Sequence, residues 1–229
     1  MQFTHPLRDA SFAKRINRFL ASVQIDGREE YAHVPNSGRM AELLTAGRSI
    51  KLRERESRTR RTRYDLCLVD FSDFWVSIDA RLPGILLAES IGNNAFPDFA
   101  PYSLLKREPT YRSSRFDLLL GRGKNRCLVE TKSVTSVNAG VALFPDAPTA
   151  RGARHILDLT EAIGEGYETW FVFICQRGDA RFLSPNKSTD PGFAEALNTG
   201  CSVGLKVFAF NSEVNENEIT LKDRIPVIL

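Results

Sequence analysis

The chain has 229 residues, 42% hydrophobic and 26% charged, a globular composition that excludes a disordered tail or a fibrous chain. Its 31 Lys and Arg against 28 Asp and Glu leave a net charge of +3, too small to define a partner unless it is concentrated. It is: residues 1–80 hold 14 basic and 11 acidic side chains, while residues 81–229 hold 17 of each.

The longest apolar stretches, Gly84 to Ala88 and Trp170 to Cys175, fall far short of the roughly 18 to 20 residues that cross a bilayer, so no membrane partner is expected. Arg8, Lys14, Arg15 and Arg18 interrupt the place where a signal peptide needs its unbroken apolar centre. Cys67, Cys127, Cys175 and Cys201 form no C-x-x-C pair and sit among apolar neighbours. They read as buried, reduced thiols of a cytoplasmic protein.

From Phe12 to Asp79, short alternating runs broken by turn residues predict five strands, near 12–25, 29–34, 49–57, 62–71 and 74–79. A short helix over Met40 to Leu44 interrupts them. Five strands with an inserted helix fit an OB-like β-barrel, residues 1–80, a fold that commonly binds oligonucleotides. Within it, Lys51 to Arg63 has seven basic and two acidic residues. Crowding Arg60, Arg61 and Arg63 opposes folding, and counterion release makes such a cluster a source of DNA affinity; a charged hairpin loop is the plainer alternative. Phe71, Phe74 and Trp75 read equally as stacking rings or as core. Pro35-Asn36-Ser37-Gly38 reads as a turn.

After Arg81 the rhythm changes to strands near 115–120, 126–134, 169–176 and 204–210, alternating with helices near 84–91, 150–164 and 191–198. The run Trp170 to Cys175 is apolar without alternation, as in a central strand covered on both faces. Residues 81–229 are therefore expected to form an α/β domain with a mixed sheet, which makes the whole chain α+β / α/β.

The richest stretch is Ser114-Arg-Phe-Asp117-Leu-Leu-Leu120, a turn Gly121-Arg-Gly-Lys-Asn125, then Cys127-Leu-Val-Glu130-Thr-Lys132-Ser133. A turn centred on Gly123-Lys124 pairs residues whose numbers sum to 247. Asp117 then faces Glu130, and both share a face with Lys132, while Val129 and Thr131 point the other way; a single-residue bulge would shift this register. Opposed carboxylates on a half-buried sheet repel one another and call for a cation between them. Magnesium fits, because it takes a few carboxylate oxygens and fills its remaining positions with water and substrate phosphate. A lysine two residues on can serve the attacking water or neutralise charge on phosphate. A cross-strand salt bridge is the structural alternative.

This D-x(n)-E-x-K pattern resembles the PD-(D/E)xK motif of restriction-endonuclease-like nucleases. With it stand His33-Val-Pro-Asn-Ser-Gly38, Val129-Glu-Thr-Lys-Ser-Val-Thr135, Phe144-Pro-Asp-Ala-Pro-Thr-Ala-Arg-Gly152, Arg154-His155 and Ile225-Pro-Val-Ile-Leu229. Together they resemble the sugar fermentation stimulation protein A family nearly end to end. The resemblance implies an OB-like DNA-binding domain followed by a restriction-endonuclease-like domain, with Asp117, Glu130 and Lys132 as catalytic residues. It also implies Asp117, Glu130 and Glu89 as ligands of Mg (or Mn), though Gly84-Ile85 stand where the family usually has Asn-Arg. The expected activity is Mg-dependent DNA hydrolysis; the alternative is a DNA-binding regulator of sugar metabolism genes whose nuclease-like domain is not catalytic.

Arg151, Arg154, His155 and Asp158 fall at i, i+3, i+4 and i+7 on the helix that Thr149 would cap, a basic face able to grip phosphates or simply a solvated one. The expected DNA-contacting set is Arg15, Arg58, Arg60, Arg61 and Arg63 on the barrel with Arg115, Arg151, Arg154 and His155 on the second domain. The DNA is double- or single-stranded, and monomer and homodimer stay open.

Overall fold

A computed structural model describes residues 1–3, 6–55 and 60–229. Its first half consists of β1 (Arg8–Asn17), β2 (Leu20–Ile25), β3 (Arg28–His33), β4 (Ser49–Glu54), β5 (Tyr64–Phe71) and β6 (Phe74–Ser77). Antiparallel pairs join β3 to β2, β2 to β1, β1 to β4 and β4 to β5. The circle closes where β3 meets β5 in parallel, Ala32 beside Tyr64 and His33 beside Asp65, leaving no free edge around the five strands. The strand β6 continues the hairpin from β5, Phe71 opposite Phe74. Phe12, Val23, Ile25, Leu52, Leu66 and Val69 fill the interior.

The segment expected as one strand over 12–25 is two. No glycine or proline marks the break; Asn17 makes it with its own side chain, whose Oδ1 accepts from the Phe19 N–H at 2.9 Å, an Asx turn. The helix expected over Met40 to Leu44 is a single turn, with Leu43 and Leu44 both donating to the Met40 carbonyl. Met40 has φ of +50°, outside any right-handed helix, because its N–H is drawn to Asp146 Oδ2 at 2.7 Å. Met40 and Leu43 are buried and join the barrel core.

The second half runs α1 (Pro83–Gly92), β7 (Ser103–Arg107), β8 (Thr110–Tyr111), β9 (Ser114–Arg115), β10 (Leu118–Arg122), β11 (Asn125–Val134), β12 (Val137–Asn138), β13 (Val141–Phe144), α2 (Ala150–Gly164), β14 (Glu168–Cys175), β15 (Phe182–Pro185), α3 (Pro191–Ser202), β16 (Lys206–Val214) and β17 (Ile219–Ile225). Its main sheet is mixed, in the order β17-β16-β14-β11-β10-β7, with β11, β14 and β16 parallel. Residues of α2 and α3 pack with Phe171 and Phe173 on one face, and α1 packs with Trp170, Val172 and Ile174 on the other. The central strand β14 is thus apolar on both sides, as its unalternating sequence implies. Thr149 caps α2, its Oγ1 accepting from the Gly152 N–H at 3.0 Å. The fold class expected from the sequence is the one the chain adopts. Among the described residues, no helix is long and apolar enough to cross a membrane.

Barrel and sheet domain are joined through side chains. Gln176, at the end of β14, is buried; its backbone carbonyl accepts from Ser77 N at 3.0 Å, and its Nε2 donates to the Ser77 carbonyl and hydroxyl. Arg177 is fully buried, grips Asp179 with two nitrogens and donates to the Thr135 carbonyl. Its guanidinium lies over Phe71 and Phe74 of the barrel, 4.6 and 5.6 Å from the ring centres. These ties bring the loop 35–40 of the barrel against the end of β11.

Candidate active site

The β10–β11 hairpin has the register its turn predicts: Leu118 faces Val129 and Arg122 faces Asn125, around Gly123 at φ of +59°. Asp117 departs from the expectation. Phe116 lies in the core beneath α2, while Leu118, two residues on, lies in the core beneath α1, so strand alternation breaks between them. Asp117 therefore does not stand on the Glu130 face as a regular hairpin would have it. Its Oδ2 accepts from the Thr131 N–H at 2.6 Å and the Thr131 hydroxyl at 2.7 Å. Gly84 at the start of α1 leaves room for this carboxylate, since a Cβ there would lie 3.3 Å from the Asp117 Cβ.

Glu130 is 4% exposed. Its Oε1 meets the ammonium of Lys132 and lies 2.7 Å from His155 Nδ1; its Oε2 is buried without a partner. Arg151 Nε donates to His155 Nε2 at 3.4 Å. The Lys132 Nζ also lies 5.7 Å from the centre of the Phe171 ring. Burial pushes the Glu130 carboxyl up, but Lys132 and His155 outweigh it and hold the pKa below the ordinary value. Burial first, and the Glu130 charge second, raise Asp117 in spite of the Thr131 hydrogen bonds.

Asp117, Glu130 and Lys132 line a cavity of about 430 Å³ between the two domains. Arg151 and the loop 143–149 form part of its wall, and Arg18, Asn36, Ser37 and Gly38 supply another part from the barrel. Two sequence blocks more than a hundred residues apart thus meet across one cleft, Met40 and Asp146 being hydrogen-bonded over a separation of 106. The turn at Asn36 to Gly38 is a cavity wall as well as a turn, and Arg18 is a cavity residue the sequence reading missed. Nothing local in the sequence marks Arg18; only closure of the barrel brings it there.

The remaining expected residues are elsewhere. Glu89 is half-exposed, pairs with the amino group of Met1 at 2.9 Å and does not line the cavity. His155 is 1% exposed and is a buttress behind Glu130 instead of a phosphate contact. Arg15 gives its guanidinium to the carbonyls of Arg18, Asn36, Gly38 and Arg39, so it braces the wall and is not free for DNA. Arg60 pairs with the buried Asp65, and Arg63 with Glu54; their crowding is relieved by carboxylates of the barrel. Arg61, Arg115 and Arg154 are exposed outside the cavity, with Arg115 3.7 Å from Glu108. Arg58 lies outside the described residues. Among the described residues, no group of three or more His, Cys, Asp and Glu side chains is set as a metal cage.

A closed five-stranded barrel of OB type is fused to a mixed-sheet domain, with two carboxylates and a lysine in the cleft between them. Residues 13–78 match the SfsA N-terminal OB domain, and residues 81–218 match the sugar fermentation stimulation protein RE domain. The chain belongs to the sugar fermentation stimulation protein family. It is 43% identical over 223 residues to a sugar fermentation stimulation protein homolog of Desulforamulus reducens, covering 97% of this chain and 93% of that one. A homolog from Caldanaerobacter subterraneus subsp. tengcongensis is 38% identical over the full length of both. The solved structure of Pyrococcus furiosus SfsA in complex with Ca2+ superposes with a TM-score of 0.93 at 30% identity, covering 100% of this chain and 98% of that one.

Proposed function

We propose that the chain is a DNA-binding phosphodiesterase that works with a divalent cation, Mg or Mn, at Asp117 and Glu130, and that residues 1–80 deliver DNA to residues 81–229. The observation that carries this reading is the Oε2 of Glu130, a buried carboxylate oxygen with no partner, in a cavity that Asp117 also lines. A buried carboxylate oxygen left without a partner carries a desolvation cost of about 1–3 kcal/mol, and a cation held with Asp117 would remove it. Two carboxylates suit magnesium, which completes its shell with water and phosphate oxygens, and the solved relative holds Ca2+, a cation of the same taste for oxygen. When bound, the cation supplies Lewis acidity toward phosphate and water.

The chain's own residues account for the rest. Lys132, held by Glu130 and the Phe171 ring, orients the attacking water and neutralises charge on the phosphate. His155 fixes the Glu130 carboxylate from behind, and Thr131 fixes Asp117. Arg151 and Arg18, one from each domain, face the cavity and suit the phosphates flanking the cut. Four free cysteines, three of them buried, support a reducing, cytoplasmic setting.

The test is cleavage of labelled duplex, single-stranded and branched DNAs with Mg2+ or Mn2+, with Glu130→Gln and Lys132→Ala alongside. Metal-dependent cutting that both variants lose supports the reading. Salt-sensitive binding with no cutting by the wild type overturns it and leaves a DNA-binding regulator with an idle nuclease-like domain.

A further inference from the structure

The cavity wall continues onto an outer face of the barrel that the site does not use. Phe19 follows Arg18 in the β1–β2 turn, and its ring stacks on His33 with centroids 6.2 Å apart and planes at 27°. Tyr31, two residues before His33 on β3, shares that strand face. Phe19 is 48% exposed and Tyr31 50%, so both rings are open to solvent. Mobility does not explain the exposure, because the backbone beneath is tied at every point. The Phe19 N–H donates to Asn17 Oδ1, its carbonyl accepts from Val34 N and from His33 Nδ1 at 3.0 and 3.1 Å, and the Arg18 carbonyl accepts from Arg15. Phe19 is displayed on this tied turn, and Tyr31 and His33 on a paired strand.

Around them, Lys14, Arg18 and Arg39 are exposed, and among the described residues no carboxylate pairs with them. The Lys14 position lies in the same cross-strand row as Ser22 and Tyr31. Solvent-open rings with unpaired cations near them match the chemistry of an unpaired nucleotide strand, whose bases offer π-faces and whose phosphates take the cations; Glu29, bonded to Ser22 at 2.6 Å, is the acid on that strand face. A duplex keeps its base faces stacked and offers only groove edges. A protein partner would not call for cations leading from the rings into a cavity lined by acids and lysine, whereas a strand running to be cut there would.

We propose that Phe19, His33 and Tyr31 form a stacking platform for single-stranded DNA that leads through Arg18 into the cleft, so that the chain acts on a single strand. The cutting step rests on the reading given above; the platform does not.

Fluorescence polarisation in EDTA, where no cutting occurs, separates the two, using labelled oligo(dT) of about 15 nucleotides and a duplex of equal length. The expected result is tighter binding of the oligo(dT), weakened on the order of 5- to 100-fold by Phe19→Ala and by Tyr31→Ala and retained by Phe19→Trp. Arg18→Ala lowers the salt dependence of the same binding. Both aromatic substitutions lie on the surface and leave thermal unfolding unchanged. Wild-type affinity for oligo(dT) in both alanine variants, or a wild type that holds the duplex as tightly as the single strand, overturns the platform. A platform that binds as expected in a protein that never cuts overturns only the nuclease reading.

Discussion

His155 carries the sharpest lesson at the scale of residues. Its position four residues after Arg151 places it on a basic arc, yet Gly152, His155, Ile156, Leu159 and Ala162 are the buried stripe of α2, and the imidazole closes on Glu130. A helical wheel cannot say which polar residue at the boundary faces inward, because that depends on a carboxylate from another element. His155→Ala is expected to cost roughly 2–3 kcal/mol in denaturant unfolding, as for truncation of a buried ring, with DNA affinity unchanged. Weakened DNA binding at unchanged stability would restore it as a phosphate contact. Asp65 is the second such residue. Its carboxylate is fully buried among Arg55, Arg60 and Arg81; burial alone would raise its pKa, but Arg60 and Arg81 hold it below the ordinary value. A depressed folded pKa means stability that is present above the unfolded carboxylate pKa, about 3.9, and lost as pH falls through the lower folded value. Asp65→Asn is therefore expected to lower stability by about 2–3 kcal/mol at pH 7, less than for a fully buried pair because the arginines are partly exposed. The difference should shrink as the pH drops below 4 in thermal melts at stepped pH, and a gap that widens in acid would contradict the assignment.

Among the elements, those with a local signature were legible. The α2 boundaries follow from Thr149 and the apolar stripe, the β14 strand from its unbroken apolar run, and the β10–β11 register from one glycine in a tight turn. The segments 103–107, 141–144, 182–185 and 219–225 were not read as strands. Ser103–Arg107 is exposed throughout, an edge strand with no inward face to pattern it. Val141–Phe144 and Phe182–Pro185 are short strands that pair in parallel with one another, a contact no local pattern reveals. The break at Asp117 escaped for a related reason: it depends on α1 arriving with a glycine at Gly84. Close approach governs the helices as well. A Cβ on Gly200 of α3 would come within 2.8 Å of Leu205 and 3.3 Å of Ile156 on α2, so Gly200→Ala is expected to destabilise by about 1–3 kcal/mol through overpacking. An unchanged melting temperature would show that the two helices yield easily.

For the molecule as a whole, the site is made by the junction of the domains. The acids and the lysine come from one hairpin, but the opposite wall comes from the barrel, and the two are held by Arg177 beneath Phe71 and Phe74 and by Gln176 on Ser77. Arg177→Met removes a buried ion pair partner and leaves Asp179 and the Thr135 carbonyl unanswered. It should split one cooperative calorimetric transition into two while the individual domains stay folded; a single, unshifted transition would mean that the junction is held elsewhere. On the proposed reading the cleft cuts DNA, with Lys132 acting in the reaction beyond any part in binding. The most direct measurement is single-turnover cleavage of labelled DNA with Mg2+ by wild type and Lys132→Met, with DNA affinity of both measured in EDTA. The variant is expected to bind DNA as the wild type does and to cut about 100-fold or more slower. Equal cutting rates in the two proteins would contradict it.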